Sequence, residues 1–142
     1  MGVTVPLRTL DKLSKIVEPA DFETEVRRMI GNEMPEVLGP RVLAAVYIEN
    51  EQLGTTGALV KAPDSIKESI WQSKTMLVLA VSPMAFKNDA YTDFCGLSVK
   101  PGDWITARIS DTSMIEIKGM PCRYVKDFQI EGKVCDPRVV TS

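Results

Sequence analysis

The sequence predicts a mainly-β protein: a small β-barrel with a protruding loop, preceded by an N-terminal arm that contains a short amphipathic helix. Three observations support this. Short apolar or alternating segments separated by turn residues recur from residue 42 to residue 134. A helical pattern occupies residues 19–30, and a polar loop is interrupted by an apolar run. With 142 residues the chain has room for one domain and an appendage. We therefore expect an arm at 1–37 and a barrel at 38–142.

The arm carries the helix. Pro19 suits its first position, Asp21 complements the positive end of its dipole, and Gly31 is placed to end it. Apolar residues spaced by four, three and one positions form one stripe: Phe22, Val26, Met29 and Ile30. A helix of about three turns is marginal alone in water, so the stripe must be buried. It can pack on the chain's own barrel or dock onto another protein, and the functional hypothesis below expects docking.

Six strand signals follow the arm. Segments 42–48 and 75–81 are apolar on both faces, which is typical of strands in a closed or covered sheet. Segment 103–109 alternates, with Trp104 and Thr106 on one face and Ile105 and Ala107 on the other. The remaining signals are a hairpin of 114–117 and 122–125 around Lys118 and Gly119, and a last strand at 130–134.

Two loops contain apolar residues. Between residues 82 and 99 lie Phe86, Tyr91 and Phe94, which we expect to anchor that loop to the rim of the barrel. Between the first two strands, a Gly/Thr-rich loop contains a short apolar run that ordinary loop chemistry does not explain. This run either folds back onto the core or is offered to a partner. It consists of Gly57, Ala58, Leu59 and Val60.

Composition argues against several functions. The chain has no histidine, so nucleophile systems that use imidazole as their base are excluded. Its three cysteines form no CxxC pair, and we expect no metal, no cofactor and no catalytic residues. A formal net charge of −2 with mixed signs gives no reason to expect nucleic acid. No apolar run approaches the roughly 20 residues that span a bilayer, and no signal peptide is recognisable.

Between residue 38 and residue 134 five segments follow one another: LGPRVLAAVYIE, TGALVKAPDSIKES, TMLVLAVSP, LSVKPGDWI and IEIKGMPCRYVKDFQIEGKV. In this order they resemble five parts of the GroES-type co-chaperonin family. These are its opening strand, its mobile loop, the strand after that loop, a turn, and the closing hairpin with the final strand. The sequence departs from the family in having Ala58 at the first apolar position of the loop, in Lys61 and Ala62 before Pro63, and in the loop after residue 82.

The resemblance implies a GroES-like barrel that forms rings by pairing the first strand of one subunit with the last strand of the next. It places a subunit seam at Val42, Ala44, Val46, Ile130 and Val134. Such pairing also has a physical motive, because an exposed sheet edge promotes aggregation.

Two functions fit this fold. The preferred one is a non-enzymatic, oligomeric structural protein of a phage virion, such as a head decoration, cement or neck protein, that docks through its arm and its apolar loop. The alternative is a co-chaperonin that caps a chaperonin ring through Ala58, Leu59 and Val60. Both expect only protein partners, with no nucleic acid and no membrane, in the virion or the host cytoplasm.

Overall fold

The computed structural model describes residues 12–13, 15–48 and 73–140. It is mainly β, as predicted, with one helix of twelve residues and a sheet of six strands. The helix α1 and the strands β1 to β6 are, in chain order, α1 (Pro19–Ile30), β1 (Arg41–Val46), β2 (Thr75–Val81), β3 (Trp104–Ala107), β4 (Ser113–Ile117), β5 (Met120–Lys126) and β6 (Ile130–Val134).

The predicted strands are confirmed, but two of them end earlier than expected. The first ends at Val46 and not at Ile48. The third strand ends at Ala107, because the chain turns into a short 3₁₀ segment at Ile109–Asp111. The β4–β5 hairpin turns at Lys118 and Gly119, whose φ angles of 49° and 83° are those of the tight turn that suits the right-handed twist of paired strands.

The sheet is antiparallel throughout, with the strand order β4-β5-β1-β2-β3-β6. β1 lies inside the sheet, between β2 and β5. Among the described strands, β4 and β6 each have a neighbour on one side only, so the ladder of strands is open.

Helix α1 has the ends that its sequence predicts. Pro19 occupies its first turn, and the helix ends at Gly31, which has a φ of 57°. The N–H of Gly31 donates to the carbonyl of Arg27 (N···O 2.9 Å). A residue without a Cβ accepts this left-handed conformation at little cost.

Both faces of the sheet carry buried side chains. On one face, α1 contributes Phe22, whose ring lies 5.4 Å from that of Tyr47 and 5.8 Å from that of Trp104. The Tyr47 and Trp104 rings are themselves 5.4 Å apart, edge to face. On the other face, a second cluster gathers around Met76 and Ile105. The short strand β3 therefore serves both clusters, because successive side chains point to opposite faces.

The helical stripe packs on the chain's own sheet. Phe22, Val26 and Ile30 are at most 1% exposed within the single chain. Met29 is partly buried against the same cluster. The expectation that this stripe docks onto another protein is wrong, because side chains already enclosed by the sheet have no surface left to offer.

The predicted subunit seam is also wrong in its first half. Val42, Ala44 and Val46 are fully buried, and the strand that carries them is paired on both sides within the chain. A strand whose two edges are both occupied cannot accept a strand of another subunit. Ile130 and Val134 lie on β6, at one end of the sheet, so their part in a seam stays a prediction.

Charged contacts link the N-terminal end and the middle of α1 to segments that precede and follow the helix in the sequence. The guanidinium of Arg138, near the C-terminus, lies 3.6 Å from the carboxylate of Glu18 and also binds Asp136. The carboxylate of Glu25 accepts from Arg28 and from Lys12. These hydrogen bonds lower the pKa of Glu25 to about 2. Segments on either side of the helix are thereby tied to it.

Replacing Phe22 by Ala should lower the free energy of unfolding by about 3–5 kcal/mol, because the substitution leaves a cavity between Tyr47 and Trp104. Chemical denaturation followed by tryptophan fluorescence measures the change. As the control, Val17→Ala removes an exposed side chain and should change stability by less than about 0.5 kcal/mol. Equal stability of the two variants would contradict the packing described above.

Candidate protein-binding surface

Three segments meet at one end of the sheet, where β1 begins and β2 and β5 end. The N–H of Ser82 donates to the carbonyl of Arg41 (3.2 Å). The N–H of Asp127 donates to the carbonyl of Pro40 (2.9 Å). These bonds extend the strand pairing past the strand ends. As a result, three segments lie close together: the one that precedes β1, the one that follows β2 and the one that follows β5.

Asp127 joins these segments through its side chain. Its carboxylate is buried and accepts from the N–H of Phe86 (3.0 Å) and from the N–H of Phe128 (2.7 Å). Hydrogen bonds to a charged acceptor are stronger than those between neutral groups. The bond to Phe86 holds a residue whose φ is 60°, a conformation that non-glycine residues seldom adopt. One carboxylate thus fixes the shape of two neighbouring turns.

The loop from residue 82 to residue 103 is anchored as predicted. The rings of Phe86 and Phe94 lie 5.5 Å apart, edge to face. The side chain of Asp89 accepts from the N–H groups of Tyr91 and Thr92, a local turn that aspartate favours. The anchoring role is confirmed for Phe86, which packs against the cluster around Met76 and Ile105, while Phe94 packs on Phe86 within the loop. Tyr91 instead points away, with its side chain almost fully exposed.

An open depression of about 580 Å³ lies beneath this loop. Residues 81–83 and 85–88 line one side of it, and residues 96–99 line the other. Lys87 and Leu97 are among the lining residues and are exposed. The depression therefore borders the same end of the sheet and offers both apolar and cationic groups.

Large apolar side chains are exposed around this end. We call the set the end face, and its members are between 58% and 73% exposed. Leu38 precedes β1, Met84 lies in the turn after β2, Leu97 lines the depression, and Phe128 follows Asp127. Single exposed apolar residues are normal on a soluble protein, but a group of them marks an interaction surface.

The end face is flanked by cations. Arg41 and Lys126 are exposed partners at the end of the β1–β5 pairing, and Lys87 lines the depression. The guanidinium of Arg41 folds back over Gly39, where a Cβ would come within 3.3 Å of it. None of these cations is ion-paired with a carboxylate of residues 15–48 or 73–140. These three cations are available to carboxylates of a partner, beside the exposed Asp89 and Asp93 of the loop that contains Lys87.

The sequence did not point to the end face. The apolar run at residues 57–60 stands out because it interrupts a polar loop, and Phe128, in the turn Lys-Asp-Phe-Gln, meets the same criterion. Leu38, Met84 and Leu97 are far apart in the sequence, and only the strand pairing brings them to one end. The predicted loop residues Gly57, Ala58, Leu59 and Val60 lie outside the described residues.

The cysteines are not brought together. Cys95 and Cys135 are exposed, whereas Cys122 is buried on β5. Burial raises the pKa of the Cys122 thiol to about 12, because the apolar surroundings disfavour the thiolate. Among the described residues, no three of histidine, cysteine, aspartate and glutamate are grouped so that they could hold a metal ion. None of the described helices is long and apolar enough to cross a membrane.

Comparison with known proteins gives no assignment: no protein-family model matches the sequence, and a search of curated proteins found no significant match. The fold and the end face define a mainly-β protein with a candidate protein-binding surface. The resemblance to the GroES-type family stays a prediction.

Replacing Asp127 by Ala should lower the free energy of unfolding by about 1–3 kcal/mol, because the N–H groups of Phe86 and Phe128 lose their acceptor. Chemical denaturation measures the loss. Asp111→Ala is the matched control, since Asp111 is exposed and should change stability by less than about 0.5 kcal/mol. An Asp127→Ala protein as stable as the control would show that the carboxylate does not hold the two turns.

In the native protein at neutral pH, a thiol reagent should modify Cys95 and Cys135 and spare Cys122. Denaturant should expose the third thiol. Mass spectrometry after labelling counts the modified sites, and a Cys122→Ala variant should give the same native count and lose the third site on unfolding. Rapid labelling of Cys122 in the native protein would contradict its burial.

Proposed function

We propose that the chain is a non-enzymatic assembly protein, a subunit that binds other protein chains to build an oligomeric structure. The observation that carries this proposal is the end face, with four large apolar side chains exposed at one end of the sheet beside three cations. Large apolar side chains that stay exposed at one end of a sheet lose the stabilisation of burial unless a partner covers them.

The rest of the described structure fits a scaffold. Among the described residues, both faces of the sheet carry clusters of buried side chains, which leaves the ends and edges as the places best suited to a partner. The end face is held in shape by a buried carboxylate and an anchored loop. A surface fixed before binding loses less conformational entropy when the complex forms.

The finer part of the proposal is a structural subunit on a GroES-like barrel, such as a decoration, cement or neck protein of a phage head. Its support is the resemblance together with the interior position of β1. A co-chaperonin ring of the family's kind pairs the first strand of each subunit with a neighbour. In this chain both sides of that strand are taken. A ring seam at β1 is therefore disfavoured, which favours the structural role.

One observation favours the alternative, a co-chaperonin. β1 and β2 are antiparallel neighbours, so residues 49–72 connect them at one end of the sheet, where the resemblance implies a mobile loop. In this role Ala58, Leu59 and Val60 would enter a groove of the chaperonin. Chaperonin-dependent refolding of a denatured substrate, with and without this chain, separates the alternative from the structural role.

The purified chain should form oligomers whose masses are multiples of the monomer mass, in native mass spectrometry and in sedimentation over a wide concentration range. Leu97→Glu should weaken this self-association at least about tenfold, equivalent to about 1.4 kcal/mol, because it places a charge within the apolar surface. Val139→Glu, at a similarly exposed site outside the end face, is the control and should leave assembly unchanged. A wild-type protein that stays monomeric throughout would contradict the proposal.

A further inference from the structure

We propose that the end face of one copy of this chain binds residues 49–60 of a second copy, so that copies associate head to tail. The inference rests on the proposed function and names the partner of the surface described above. It is carried by the topology of the β1–β2 pair and by the complementary chemistry of the two elements.

The topology places the end face and the residue that precedes residues 49–60 at opposite ends of the sheet. β1 ends at Val46, and just beyond it the N–H of Tyr47 donates to the carbonyl of Thr75, at the start of β2 (3.0 Å). The described residues on either side of 49–72, Ile48 and Ser73, therefore lie at this end. The end face lies at the other end, where Arg41 and Ser82 are joined. One strand length, about 20 Å, separates the two ends.

The chemistry of residues 49–60 matches that of the end face. The segment carries two carboxylates, Glu49 and Glu51, and no cation. It also carries the apolar side chains of Leu53, Leu59 and Val60. The end face offers exposed apolar groups beside the cations Arg41, Lys87 and Lys126. Opposite charges at the rim give orientation, and apolar contacts at the centre exclude water.

Other segments of the chain match less well. Residues 1–11 hold one cation, Arg8, and one carboxylate, Asp11, which cancel. Residues 61–72 hold two cations and two carboxylates, which also cancel. Of these segments, only residues 49–60 combine a net negative charge with a run of apolar side chains.

A second copy is a better source of the segment than the chain itself. To reach its own end face, the segment would have to reverse and run back along the sheet. One face of that sheet is covered by α1, and the other is packed with Val99 and Phe86 of the long loop. In a second copy aligned end to end, the chain leaves β1 at the end of the sheet that faces this end face, so no such reversal is needed. Because the two binding elements differ, a pair of copies still has one free end face and one free segment. Association therefore continues into a filament, or stops where a ring closes.

The experiment uses the full chain in two variants, each lacking one element. Phe128→Glu breaks the end face and leaves residues 49–60 intact. The double variant Leu59→Asp, Val60→Asp leaves the end face intact and breaks the segment. Val139→Glu is the control, since it matches Phe128→Glu in added charge and in exposure of the replaced side chain. Circular dichroism and thermal unfolding establish that each variant is folded before its association is measured.

Each variant alone should be monomeric in native mass spectrometry, with self-association weakened at least about tenfold, while the control assembles like the wild type. Mixing the two variants should restore a species of two chains and nothing larger, because one intact segment meets one intact end face. Added salt should weaken that species, because exposed charges contribute to it.

The contrary outcomes are distinct. If the mixture stays monomeric, the segment of one copy does not bind the end face of another, and the inference is overturned. Docking of the segment within its own chain would give this result. If the wild type assembles and Phe128→Glu has no more effect than the control, head-to-tail docking is overturned and the proposed assembly role stands. If the wild type is monomeric, both the inference and the proposed function are overturned.

Discussion

The burial of Phe22 between Tyr47 and Trp104 is the contact on which the rest of the structure depends. It joins α1 to the end of β1 and to β3, three elements that are separated in the sequence. β3 has only four residues and pairs with β2 at three positions, so its backbone pairing is short. Its Trp104 ring gives it a second attachment to the core. The pairing of β3 with β6, at the edge of the sheet, depends on that attachment. The helix is therefore as much a part of the sheet's core as the strands are.

Among the described residues, clusters of buried side chains occupy both faces of the sheet, so its edges and its ends are the parts best placed to meet another protein. An edge offers backbone groups in a repeating pattern and recognises almost any strand. The end face is more selective, since its apolar side chains and cations occupy fixed positions around Asp127. Selectivity of this kind suits a subunit that must join its neighbours in one orientation. The long loop and the depression beneath it add area to the same surface.

The sequence was sufficient for elements whose pattern is local. The helix Pro19–Ile30 and the strands Thr75–Val81 and Ile130–Val134 were predicted with their bounds, because periodicity and turn residues act over a few positions. The partner of the helical stripe was not predictable in the same way. Periodicity predicts that Phe22 is buried, but it does not identify the residues against which Phe22 packs. β1 lies inside the sheet, and Leu38 and Phe128 lie at the same end of it, because strands that are distant in the sequence pair with each other. Pairing between distant strands leaves no local pattern in the sequence.

The interior position of β1 also governs when the chain can fold. β1 pairs with β5 through contacts such as Ala45 with Cys122, which lie far apart along the chain. During synthesis β1 leaves the ribosome well before β5 exists, and it is an apolar strand with one edge uncovered. Contacts between distant residues are also slow to form, because a long loop must close before they are made. Most of the chain must therefore be made before the sheet can close around its central strand, and in that interval the nascent chain is exposed to aggregation and to chaperones.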